Sequence, residues 1–327
     1  MLPGLGVHTI ISGMPRREDR KPIPVTIGRF HGRFQWDIPA RLLLRVGKAT
    51  KRLKFDQNGL PIGFTDGVFK TIVKDLYGTA VSKVTGDFVK EHYGIDCEVI
   101  YNGIDTEQFT LKGPPKEDWE EQRKNGEPII FSSGRIEGRK GQPYLIEACL
   151  KLKEAGYKFI LYLGGEGVDK KRLHRMVDQK GLKEYVVFVG NLSWKEYLKA
   201  LRTADLCIYP ATGNEGFGRA PVEAVASGSI AVVSLIDGYN EAMEGVPFVL
   251  RARPKDSNDL AEKIKDGFAA AEEKRRKFGQ PNHDYIEKRF GWEVTLDNLD
   301  RFFDNCYRRH GGVDWPKLPA SGTIYTR

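Results

Sequence analysis

The sequence predicts an α/β protein built on a doubly wound parallel sheet, carried most clearly by its second half. Three observations point there. From residue 129 onward, short apolar runs alternate with amphipathic stretches of helical period. The runs are apolar throughout, as expected of strands covered on both faces. Glycine-rich turns follow several of them, and in such sheets ligands bind outside the carboxyl ends of the strands.

The elements follow in order. Ile129 to Ser132 is a strand, and Pro143 to Ala155 a helix. Phe159 to Leu163 is a strand, and Lys170 to Lys180 a helix closed by Gly181. Val186 to Val189 leads to a helix from Ser193 to Thr203, with Ser193 as its cap. Leu206 to Tyr209 leads to a helix from Ala220 to Ala226, closed by Gly228, and Ile230 to Val233 follows. The first part of the chain is less regular. Ile23 to Phe30 is a strand, 38–54 a basic amphipathic helix, 56–66 turn chemistry, Thr85 to His92 a helix and Glu98 to Tyr101 a short strand.

A length of 327 residues fits two ordinary domains better than one. Residues 1–112 form the first. Residues 113–290 form the second, entered through a polar linker, 113–128, that opens Gly113-Pro114-Pro115. Residues 291–327 hold a last helix, Trp292 to Arg308, and an irregular tail. A hydrophobic fraction of 40% and a charged fraction of 29% exclude a disordered chain.

The net charge of +8 suits nucleoside diphosphates, anionic lipid surfaces or nucleic acid. No nucleic-acid module pattern is present, so nucleic acid is not an expected partner. Cys97, Cys149, Cys207 and Cys306 are scattered, which argues against a disulfide framework or zinc site and for a reducing, cytoplasmic compartment. The apolar runs are too short to span a membrane, and Met1 to Gly4 lacks signal-peptide character. The basic segment Arg41 to Lys54 suits a solvated helix or a peripheral contact with phospholipid head groups.

The loops carry the candidate chemistry. Gly134 to Gly141 is glycine-rich and basic and leads into a helix. Arg135 and Lys140 supply cationic donors for a diphosphate, or else are surface charges on a turn. It is not a P-loop, because no Lys-Ser or Lys-Thr pair ends it. Gly164-Gly165-Glu166-Gly167 suits close ligand approach or a simple strand-to-helix turn. Gly190, Asn191 and Leu192 suit the wall of a nucleotide-base site, or an Asx-type turn. Glu215-Gly216-Phe217-Gly218 precedes a helix with Glu223 in its first turn. The backbone N–H groups of Gly216, Phe217 and Gly218 can serve one anion or sugar, flanked by two carboxylates able to accept from vicinal diols. Alternatively, Glu223 serves the helix dipole. His31 follows a strand end beside Gly32 and can reach a cleft.

These pieces, in order, resemble the large retaining glycosyltransferase family of GT-B fold that includes sucrose synthases and bacterial mannosyltransferases. The resemblance rests on Val99 to Asp105 with Phe109, Gly134-Arg135 with Lys140-Gly141, and Gly164 to Gly167. It continues through Val189-Gly190, Glu215 to Gly218 with Glu223-Ala224, and Gly238 with Glu241. The resemblance implies two Rossmann-like domains facing a cleft and a nucleotide-sugar donor, with no metal and no separate cofactor. It implies that Arg135 and Lys140 bind the diphosphate, that Glu223 binds the ribose, and that Glu215 and His31 lie near the transferred sugar. A hexose would pass from a UDP- or GDP-linked donor to a glycan, lipid or small-molecule acceptor, with its configuration retained. A nucleotide-sugar-binding subunit that needs a partner chain, or an epimerase of the same fold, is the alternative. Against the long series of βα units the resemblance implies, only about two dozen residues separate Gly4-Leu5-Gly6 from His31, so the first domain is expected to be abridged or to lack its early strands.

Overall fold

The computed structural model describes residues 77–93, 96–124, 126–213, 215–269 and 271–309, and four short strands before them at 8–10, 27–30, 54–55 and 61–62. In the first part, β1 (His8–Ile10), β2 (Ile27–Phe30), β5 (Tyr77–Ala80) and β6 (Cys97–Val99) form a sheet in the order β1-β2-β5-β6. Its strands run parallel except for β1, which pairs antiparallel with β2. The strands β3 (Lys54–Phe55) and β4 (Pro61–Ile62) pair separately. Helix α1 (Lys83–Tyr93) joins β5 to β6.

The second sheet is wholly parallel and has six strands. They are β7 (Ile129–Ser133), β8 (Ile160–Gly164), β9 (Val186–Gly190), β10 (Leu206–Tyr209), β11 (Ile230–Ser234) and β12 (Leu250–Ala252), in the order β12-β11-β10-β7-β8-β9. The chain begins this sheet in the middle, works outward to β9, then crosses to the other side at β10. The order reverses between β7 and β10, and the crevice above that point is where a doubly wound sheet binds ligands.

The inner strands are largely apolar because successive side chains enter two different cores. Leu206 and Ile208 of β10 face the core shared with α3 (Gln142–Glu154), α4 (Lys170–Gln179) and α8 (Ser257–Phe268). Cys207 and Tyr209 face the other, shared with α5 (Trp194–Thr203), α6 (Arg219–Ala226) and α9 (Ala271–Phe290). Cys149 and Cys207 are buried free thiols, and burial pushes the Cys207 thiol up to about 12.

The stretch expected to be a linker is different. It holds α2 (Glu117–Lys124), whose Trp119 is fully buried and stacks on Tyr162 with ring centroids 3.9 Å apart. The same indole meets Phe131 edge-on at 5.4 Å. A single large aromatic residue therefore fixes an otherwise polar helix to the sheet.

The segment after β6 meets the end of the chain. Ile104 bridges Gly291, and Thr295 of α10 (Trp292–Arg309) donates to the Tyr101 carbonyl at 3.3 Å. Gly103 lies beneath the Trp292 ring. Short α7 (Asp237–Ala242) carries Glu241 to α1.

Candidate functional site

Three loops leave the carboxyl ends of β7, β8 and β9 and line a cleft of about 460 Å³. Its walls include Ser133, Gly134, Arg135, Gly165, Glu166 and the run Gly190 to Leu192, with Tyr197 and Ala220 on the remaining side. Five of the expected donor residues, Gly134, Gly165, Gly190, Asn191 and Leu192, thus share one cavity with Arg135.

The glycines in these loops serve each other as much as any ligand. Gly165 has φ of 117°, and a β-carbon there would come within 2.0 Å of the Gly134 carbonyl oxygen. The β7 and β8 loops are therefore held in direct backbone contact that only glycine allows. Gly141, with φ of 73°, lies likewise against the Pro210 carbonyl and starts α3. Its approach brings the basic loop to the end of β10, where the Thr212 N–H donates to the Arg139 carbonyl at 2.9 Å.

That contact assembles the charged centre. Glu215 has a largely buried side chain, 11% exposed. Its Oε1 receives Lys140 Nζ at 2.7 Å and Arg139 Nη1 at 2.5 Å. Arg139 also holds Glu137, with Nε 2.6 Å from Oε1. Arg135 stands apart: its guanidinium is half-exposed, 3.5 Å from Glu137, while its carbonyl accepts from Gln142 Nε2 at 2.9 Å. Arg139 is the site residue the sequence did not single out. Its neighbours Arg135 and Lys140 carry the family-like pattern, and the short 3₁₀ turn Gly138–Lys140 aims residue 139 inward beside Lys140.

Glu215 lines a second, smaller cleft of about 340 Å³, with Thr212, Gly213 and the run Leu235 to Gly238. Gly216 and Phe217 are buried. The Phe217 ring packs against Phe290 at 5.1 Å and Tyr101 at 5.8 Å, so it serves the core and leaves only backbone to the loop. Gly218, with φ of 88°, caps α6.

Glu223 is not in the first turn of its helix. Helix α6 begins at Arg219, which puts Glu223 one full turn in, and this removes the helix-dipole explanation for the residue. It is buried, receives Tyr197 Oη on Oε2 at 2.9 Å, and meets Arg219 Nη2 on Oε1 at 3.1 Å. Burial holds the Tyr197 phenol well above its ordinary range, so it keeps its proton and donates. Among the described residues, Ser133 Oγ and Tyr209 Oη are buried without a hydrogen bond of good geometry, and Ser133 lies close to both the Tyr197 and the Tyr209 hydroxyls.

His31 and nearly all of the basic segment Arg41 to Lys54 lie outside the described residues. Among the described residues, His283, Asp284 and Glu287 gather potential metal-ligating atoms within 4.8 Å. None of the three lines either cleft, and His283 Nδ1 is 2.6 Å from the Ala226 carbonyl. No helix among the described residues is long and apolar enough to cross a membrane.

A doubly wound sheet with a cationic loop and two glutamates gathered at its switch point defines an α/β protein with the arrangement in which such sheets bind ligands. Residues 115–283 match the family model of glycosyl transferases group 1, and the chain belongs to that family. It is 27% identical over 247 residues to a phosphatidyl-myo-inositol mannosyltransferase of Mycobacterium tuberculosis, covering 73% of this chain and 62% of the relative. The chain thus spans less than two thirds of that relative's length. Among solved structures, it resembles a glycosyltransferase from Rickettsia africae, with a TM-score of 0.66 at 19% identity over 83% of each chain. It also resembles HepE from Anabaena in complex with UDP-glucose, with a TM-score of 0.62 at 21% identity over 74% of this chain and 68% of that one. The chain has the GT-B fold of these proteins.

Proposed function

We propose that the chain is a retaining glycosyltransferase that moves a hexose from a UDP- or GDP-linked sugar to a hydroxyl of a glycan, lipid or small-molecule acceptor. One observation carries this reading: the basic loop after β7 and the Glu215 loop after β10 meet at the switch point through Lys140 and Glu215. A diphosphate placed there would lie between Lys140, Arg139 and Arg135. Its sugar would lie toward Glu215, and its nucleoside in the larger cleft, whose wall residue Tyr197 is hydrogen-bonded to Glu223.

In transfer, the bond between the anomeric carbon and the diphosphate oxygen breaks, and the acceptor oxygen bonds to the same face of that carbon. The developing negative charge falls on the diphosphate, where fixed cations stabilise it without a metal. The departing diphosphate can itself take up the proton of the incoming acceptor hydroxyl. No cofactor beyond the donor is required by this reading. The free thiols Cys97, Cys149 and Cys207 support a reducing, cytoplasmic setting. The basic segment Arg41 to Lys54 suits a solvated surface first and a peripheral contact with anionic head groups second.

Acceptor-dependent release of UDP or GDP tests the proposal. Lys140→Ala is expected to slow it roughly a hundredfold to a thousandfold, and full turnover by that variant would refute the donor-site assignment. The anomeric configuration of the product, read by nuclear magnetic resonance, tests retention. Activity after chelator treatment tests independence from metal.

A further inference from the structure

We infer that Tyr197 is the residue that makes this site selective for ribose, by holding the Glu223 carboxylate in place for the sugar's vicinal diol. The inference rests on the donor reading above, in which Glu223 faces the ribose.

Tyr197 joins the two features that reading needs. Its ring lines the larger cleft, and its hydroxyl donates to Glu223 Oε2 at 2.9 Å. The ring cannot drift. It sits on α5 among Phe131 at 6.1 Å, Phe109 at 6.3 Å and Trp194 at 6.0 Å, and the residue is partly buried beneath them. The phenol stays protonated across ordinary pH, so the hydrogen bond is always donated in the same direction.

The two oxygens of Glu223 therefore have different partners. Oε2 is committed to a rigid buried donor. Oε1 is met by Arg219, whose side chain is 55% exposed. An exposed, flexible cation yields easily to a ligand, because a solvent-screened ion pair contributes little. Oε1, with the spare lone pair of Oε2, is then free to accept the two hydroxyls of a ribose. Without the Tyr197 hydroxyl, the carboxylate could rotate towards Arg219 and lose that orientation. Tyr197 acts through Glu223 and is a positioning residue.

Calorimetric titration of the full chain with UDP, GDP, 2′-deoxy-UDP and 2′-deoxy-GDP tests the inference. The native protein should favour the ribonucleotide of its preferred base by about tenfold, the scale of one hydrogen bond to a charged group. Tyr197→Phe should weaken ribonucleotide binding by about that factor and leave the deoxynucleotide unchanged, so that the ratio falls toward one. Glu223→Gln should do the same, and the double variant should lose nothing further. Both nucleotides are measured on one preparation, so any loss of folded protein cancels from the ratio.

If Tyr197→Phe weakens both nucleotides equally, or keeps the ratio while Glu223→Gln erases it, the role assigned to Tyr197 is overturned and the donor reading stands. If Glu223→Gln keeps the ratio, or the native protein binds none of the four nucleotides, Glu223 is not the ribose ligand and both ideas fall.

Discussion

Glu241 caps a helix that begins 158 residues earlier in the chain: its Oε1 accepts the Lys83 N–H at 2.5 Å, and its Oε2 accepts the Val84 N–H at 3.0 Å. The same carboxylate receives the Tyr101 hydroxyl at 3.1 Å. The first-turn N–H groups of α1 have no partners within their own helix, and a carboxylate at that end is also favoured by the helix dipole. One side chain thus fastens the first sheet's helix to the second sheet's short α7.

Replacing Glu241 with Ala should therefore cost stability well beyond what an exposed surface glutamate would. Loss of a helix cap typically costs about 1 kcal/mol, and up to about 2. Chemical denaturation should show a lower midpoint, and hydrogen exchange at the amides of Lys83 and Val84 should accelerate. Unchanged exchange there would refute the capping role.

Trp119→Ala should be severely destabilising, by about 3–5 kcal/mol, because it empties a fully buried site between Phe131 and Tyr162. A polar connector between domains would tolerate the change. Thermal unfolding of the variant separates the two outcomes.

Lys140→Ala and Arg139→Ala should both weaken nucleoside diphosphate binding and slow transfer. Removing one group that stabilises transition-state charge costs roughly a hundredfold to a thousandfold in turnover. Arg139→Ala should also loosen Glu215 and Glu137 together, leaving Lys140 as the partner of the first and Arg135 as that of the second. Steady-state kinetics with separate kcat and KM values would show whether Arg139 matches Lys140. An Arg139 variant with native kinetics would confine that residue to structure.

Burial raises the phenols of Tyr197, Tyr209 and Tyr239 well above their ordinary value of 10.0. The unfolded chain releases these protons near that value, and the folded chain keeps them. Stability should thus be level below about pH 10 and fall as pH rises past it. Tyrosinate absorbance of these three should appear only together with unfolding, followed by circular dichroism. Reversible ionisation in the folded state would contradict their burial.

Much of this was legible in the sequence, and the reasons are local. Gly181 and Gly228 marked helix ends because a helix commonly closes on a left-handed residue, and both have positive φ. The strands β7, β8, β10 and β11 were legible because both faces are covered, which leaves unbroken apolar runs; the edge strand β9 keeps such a run although its Val187 is exposed. Helix α2 was not, because Trp119 is its one large apolar residue and a single point has no period. Arg139 and Tyr197 were hidden for another reason. Their partners, Glu215 and Glu223, are 76 and 26 residues away, and only the folded sheet brings them together. Gly165 was legible as a residue of close approach, but its neighbour proved to be the Gly134 backbone.

The pairing of Lys140 and Arg139 with Glu215 gives the resting site its own counter-ion. An incoming anion does not enter an empty positive hole; it must exchange with a carboxylate tethered beside the cations, and therefore present at high effective concentration. A weak or singly charged anion gains little by that exchange, whereas a diphosphate brings more charge than it displaces. On the proposed donor reading, the exchange would also release Glu215 as the diphosphate arrived, so the group that would face the sugar would become available together with the donor.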